Sequence, residues 1–197
     1  MVVDPRRYQW VVGAVGLLVL IAFSAYLFAN GHTGAPGVPP GARLREFVAP
    51  LATSDLDAPA NVRPRCDPRY PARQGLNVCD RRPIVLAFFA LGARPCERAV
   101  SALETVSRAF RGIQFAALAI SAGRVATARL ARARDWTIPV AYDLTGAIGQ
   151  LYDVSVCPLL ELASAGGVVQ QRLIGEGWER PVRLAAAVRR LAAAAGD

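Results

Sequence analysis

The chain has 197 residues, 53% of them hydrophobic, which is enough for one domain with a proper core plus an additional apolar segment. Its formal net charge is +8, and all 23 basic residues are arginine, scattered without a long basic run and with few interleaved aromatics, which argues against nucleic-acid binding. The only histidine, His32, lies outside any motif, so Ser-His or Cys-His catalysis and His-rich metal sites have no material.

In chain order, residues 1–7 end in Arg6 and Arg7 and precede an uncharged stretch, Tyr8 to Ala29, of bilayer-spanning length. Tyr8, Trp10 and Tyr26 suit interfacial anchors, and the two arginines favour a cytoplasmic N-terminus with the remainder external. No small-x-small site closes the stretch, so residues 8–29 are expected to form an uncleaved transmembrane anchor in the cell membrane. Residues 30–42 are dominated by Gly and Pro and read as a linker, with the globular domain expected over 43–197. "REFVAPLATSDLDAPANV" offers a short strand and turn material around Asp55 and Asp57. Residues 63–83 are polar and Pro-rich, an expected irregular loop carrying Cys66 and Cys79.

From Ile84 the pattern becomes regular. Ile84 to Phe89 is an unbroken apolar run, expected as a strand covered on both faces. Glu97 to Phe110 carries a stripe of Val100, Leu103, Val106 and Phe110, and pairs Glu104 with Arg108 at i,i+4, which predicts a helix. Ile113 to Ile120 predicts a second buried strand, and Arg124 to Asp135 an arginine-faced helix. "TIPVAYD" reads as a short strand and Gly146 to Tyr152 as a short helix. "PLLELA" and "GVVQQRLIG" flank Gly166-Gly167 as a hairpin, and Glu179 to Ala195 closes the chain as a helix. Strands alternating with helices, then a hairpin and a final helix, predict an α/β layer structure.

The passage "IVLAFFALGARPCERAVSALETV" brings a strand through a Pro-Cys step into a helix. Farther on, "YDLTGAIGQLYDVSVCPLL" ends in a Cys-Pro step. Together these resemble the thioredoxin fold, whose active site reads Cys-x-Pro-Cys after a strand. The opening "FVAPLATSDLD" is similar to that of membrane-tethered redoxin or TlpA-like proteins. The resemblance implies a central mixed sheet flanked by helices, with Ala93, Arg94, Pro95 and Cys96 as the active-site loop and Pro158 as the cis-proline facing it. Two departures stand out: Ala93 replaces the family's nucleophilic first cysteine, and Cys157 precedes the proline. Asp153 stands where the family usually has Gly. Under this resemblance the second sulfur is Cys157, 61 residues after Cys96, and the fold favours pairing the two as the catalytic cysteines.

Four cysteines in an external domain suggest disulfides with three connectivities. The local loop favours Cys66 with Cys79 as a structural bridge. A zinc site using all four is the other reading, although the usual paired C-x-x-C spacing is absent. No metal and no cofactor is implied. For Cys96 and Cys157, an exchanging redox pair and a fixed bridge both remain open. Exchange would use a thiol or disulfide protein partner, with Cys96 meeting it first and Cys157 releasing it. Two alternatives stand beside this: a redox-inactive thioredoxin-fold binding module with two structural disulfides, and a peroxiredoxin-like thiol peroxidase. The latter family's Pro-x-x-x-Thr/Ser-x-x-Cys lead is missing, with Phe89 and Ala93 in those places. Trp136 and Trp178 read as packing or rim residues, Glu97 as a solvated first-turn acid, and Asp143 as a turn residue.

Overall fold

A computed structural model describes residues 13, 15–25, 35–55, 58–62, 75–78 and 82–194. The chain divides into two units, residues 1–35 and 36–197. In the first, residues 13 and 15–25 are helical (α1), and Val15, Leu17, Leu18, Val19, Leu20, Ile21 and Phe23 are all exposed. Among the described residues no helix is long and apolar enough to cross a membrane. The expected span also includes residues 8–12, 14 and 26–29, which lie outside the described residues, as do Cys66 and Cys79.

The second unit is built on a five-stranded sheet. Its strands are β3 (Ile84–Phe89), β4 (Gln114–Ile120), β5 (Val140–Asp143), β6 (Leu159–Ala163) and β7 (Val169–Ile174), in the spatial order β5-β4-β3-β6-β7. β3, β4 and β5 are mutually parallel, whereas β6 runs antiparallel to both of its neighbours, β3 and β7. The central strands read as continuous apolar runs because the sheet is covered on both sides. Alternate residues therefore enter two cores. Val85, Ala87, Phe89, Leu160 and Leu162 meet α2 (Arg94–Ser107) and α5 (Pro181–Ala194). Ile84, Leu86, Phe88 and Leu159 meet Val38, Leu44 and Phe47 of the incoming segment and Ile148 and Tyr152 near α4 (Ala147–Leu151). Complete burial of side chains such as Leu86, Phe88 and Leu160 stabilises the fold by about 1.5–3 kcal/mol each. The layered α/β architecture matches the sequence pattern.

Four local differences have physical causes. Residues 37–42 are not a free spacer, because Val38 is buried and the Gly37 and Gly41 N–H groups donate to the carbonyls of Tyr152 and Val169. Part of the expected irregular loop is a strand: β2 (Gly75–Asn77) pairs antiparallel with β1 (Val48–Pro50), burying Leu76. Helix α2 begins at Arg94 rather than Glu97, which places Pro95 and Cys96 inside its first turn. α3 (Arg124–Ala133) ends two residues early, where Asp135 turns left-handed at φ 53°. After α4, Asp153 adopts φ 49°, the conformation that glycine takes most easily, at the position where the resembling family usually has Gly.

Candidate functional site

The site lies where β3 ends. Gly92 takes a left-handed turn at φ 80°, which redirects the chain from β3 into α2. Ala93 is the N-cap and offers no capping side chain, but its carbonyl accepts from the N–H groups of Cys96 and Glu97. Capping of the loop falls instead to Glu97, whose Oε1 accepts the Gly92 N–H at 2.9 Å. Its Oε2 receives Arg134 Nη2 at 2.6 Å, from the residue that follows α3. Glu97 is therefore buried and paired, not solvated as its place in the first turn suggested. The pair ties three elements together directly beside Cys96.

On the opposite side of the site, the Cys157–Pro158 peptide bond is cis, and Pro158 is buried at the start of β6. Cys157 is disulfide-bonded to Cys96, with alpha carbons 5.5 Å apart, within the ordinary range for such a bridge. Neither described cysteine is free. With Cys96 and Cys157 bonded to each other, a four-cysteine zinc site lacks two of its ligands, and no other cluster of three metal-binding side chains occurs among the described residues.

The two cysteines differ in exposure, in the sense that does not favour Cys96 as the first that a partner meets. Cys96 is only 2% exposed, in the apolar cluster that also holds Phe89 and Val100. Cys157 is half-buried and follows the exposed Ser155 and Val156. Its Sγ lies 3.9 Å from the Phe88 carbonyl oxygen. A disulfide sulfur has no hydrogen to donate, so this contact becomes a hydrogen bond only after reduction. Arg94 is exposed, while Ala93 and Pro95 are half-buried. Trp136 is a packing residue: it meets Phe89 edge-to-face and donates Nε1–H to Ser101 Oγ. Trp178 lies half-buried under the Arg183 guanidinium, 4.1 Å from the ring centroid.

Further polar groups lie buried near the sheet. Glu104 pairs with Arg108 as the spacing predicts, and also accepts from the Thr137 N–H and hydroxyl and the Ile138 N–H. Burial alone would raise its carboxyl pKa, but these donors together outweigh burial and hold it below the usual value. Asp143 ends β5 rather than sitting in the turn; it is fully buried, and its Oδ2 accepts the N–H groups of Ile148 and Gly149. A cavity of about 290 Å³ lined by Ile120, Ser121, Gly146, Gln150 and Asp153 includes neither Cys96 nor Cys157.

Glu161 and Arg134 went unnoticed in the sequence. Glu161 had a visible signal, a lone acid inside the apolar run "PLLELA". Arg134 had none, because its role depends on where α3 ends relative to α2.

No family model matches the chain, and no curated protein matches it. Solved structures share its fold. One is a protein from Chlorobium tepidum assigned as thiol:disulfide interchange protein DsbE, with a TM-score of 0.61 at 18% identity, covering 80% of this chain and 98% of that one. Another is a secreted Mycobacterium tuberculosis disulfide oxidoreductase homologous to E. coli DsbE, with a TM-score of 0.52 at 20% identity, covering 57% of this chain and 84% of that one. A third is the thioredoxin domain of a Bacteroides vulgatus thiol-disulfide oxidoreductase, with a TM-score of 0.58 at 10% identity, covering 78% of this chain and 97% of that one. At these identities the likeness is one of fold: a thioredoxin-like α/β domain carrying a Cys96–Cys157 disulfide.

Proposed function

We propose that this chain is a membrane-tethered, extracytoplasmic thioredoxin-like protein that exchanges disulfides with thiol-bearing proteins through Cys96 and Cys157. The observation that carries the reading is the bridge itself, which joins the first turn of α2 to the residue before a cis-proline. A sulfur placed there can break and re-form its bond at a surface-facing loop, while Glu97 and Arg134 hold that loop in place. Cys66 and Cys79 would act separately, as a structural bridge. A redox titration of the full chain, following the Cys96–Cys157 bridge by peptide mapping, tests the exchange. A potential above about −300 mV supports it, and a bridge that resists reduction below that value is structural.

Tethering is supported by the uncharged run from Tyr8 to Ala29 and by the apolar, exposed side chains of α1 within it. Arg6 and Arg7 support an N-terminus on the cytoplasmic side. Membrane fractionation with protease added from outside checks both points: the chain should stay with the membrane, and the domain should be cleaved.

A second reading rests on Ala93, which removes the family's nucleophilic sulfur from the loop. Under it the domain is a redox-inactive binding module. Insulin-reductase activity absent from the native chain and created by Ala93→Cys would favour that reading. The thiol-peroxidase alternative has less support, because the peroxide-attacking sulfur would be Cys96, which is buried and already bonded.

A further inference from the structure

We propose that Cys157 is the sulfur a partner thiolate attacks and that Cys96 is the leaving group, an inference that rests on the exchange reading above. Two independent observations point the same way. The first is access. Cys96 is 2% exposed within the apolar cluster between α2 and the sheet, whereas Cys157 is half-buried and preceded by Val156, which is 40% exposed. A protein-borne thiolate reaches Cys157 without opening the core.

The second is where the released charge is tolerated. Cys96 sits in the first turn of a 14-residue helix, at the positive end of its dipole, which favours a departing thiolate. The neighbouring Glu97 carboxylate would oppose that charge, but Arg134 matches it at 2.6 Å. Cys157 Sγ faces the Phe88 carbonyl oxygen at 3.9 Å, which disfavours a thiolate there and accepts a thiol proton instead. Apolar burial opposes charge on Cys96 while the helix N-terminus favours it, so the local dipoles, together with access, select the same polarity.

The step balances as written. The partner thiolate forms an S–S bond to Cys157 Sγ as the Cys157–Cys96 bond breaks, and the electron pair departs on Cys96 Sγ. A second thiolate of the same partner then attacks its own sulfur in the mixed disulfide and expels Cys157 Sγ, which takes up a proton. The partner dithiol is oxidised to a disulfide, and the bridge is reduced by the same two electrons. Run backwards, the same path has Cys157 open a partner disulfide and Cys96 resolve it.

The test treats the full oxidised chain in detergent with reduced glutathione, quenches in acid, alkylates and locates the glutathionyl adduct by peptide mass spectrometry. The adduct is expected on Cys157 in at least roughly ten-fold excess over Cys96. A majority on Cys96, or an even split, overturns the proposed polarity while leaving exchange standing. No adduct at either position, with the bridge intact, overturns the exchange reading and this inference with it. A second measurement uses Val156→Trp, an exposed change that screens Cys157. It should slow bridge opening by glutathione by about ten-fold, and an unchanged rate counts against attack at Cys157.

Discussion

On the α2 face of the central sheet, a buried carboxylate is fully partnered. Glu97 has one oxygen on the Gly92 N–H and the other on Arg134. On the opposite face, Glu161 on β6 is also buried, but only its Oε1 is bonded, to the Val38 N–H at 2.6 Å, and Oε2 has no hydrogen-bond partner among the described residues. Burial drives the Glu161 carboxyl up to about 7, against the Val38 hydrogen bond and the attraction of Arg172. Tyr152, whose hydroxyl donates to the Arg45 carbonyl at 2.6 Å, is pushed upward by burial and then by the nearness of Glu161. The contrast shows that a buried acid can serve two ends. With a cation supplied from α3 it fixes a loop beside the sulfurs, and without full pairing it makes the hold on the incoming segment sensitive to protonation.

The largest expected effect falls on the sulfur-bearing face. The bridge closes a 61-residue separation, and removing it by Cys157→Ala should lower the unfolding free energy by about 4 kcal/mol in urea titrations while abolishing exchange. A negligible loss would mean that packing alone holds β6 to α2.

Next comes the acid-bearing face. The Glu161 carboxyl binds its proton more tightly in the folded chain than at the ordinary 4.5, so its contribution to stability is complete below about 4.5 and is lost as pH rises through about 7. The decline across that window should be on the order of 3 kcal/mol, and Glu161→Gln should flatten it, as measured by denaturation at a series of pH values. An equal slope in the variant would assign the titration elsewhere.

Glu97→Ala, back on the first face, leaves the Gly92 N–H and Arg134 without their shared acceptor. It should cost roughly 1–3 kcal/mol and alter the rate of bridge opening, as read by denaturation and by thiol-dependent reduction. The smallest effect is expected from Arg183→Ala, which removes the cation above Trp178. A loss of about 0.5–1 kcal/mol, with a shift in tryptophan fluorescence, would fit that contact.

Much of the frame was legible because burial writes itself into periodicity. Ile84–Phe89 and residues 115–120 are uninterrupted apolar runs and form nearly all of the paired central strands β3 and β4. Gly166 and Gly167 marked the β6–β7 turn, and both adopt positive φ. The joining of Cys96 to Cys157 was expected too, through the resemblance to the thioredoxin fold that the Pro-Cys and Cys-Pro steps carry. The hold of residues 37–44 on the sheet was not, because Gly and Pro composition signals a linker whether or not a surface waits to receive it. Nor was β2, three residues whose strand character comes from pairing with β1.

The sequence by itself determined the order of the strands and helices from Ile84 onward, since spacing and side-chain type act locally, and its resemblance to the thioredoxin fold singled out Cys96 and Cys157. Only the tertiary structure decided which sulfur is hidden, which acid is paired and which is left half-satisfied. Those properties depend on solvent exclusion and on charges brought together from distant positions, as with Glu97 and Arg134, and no local pattern encodes them.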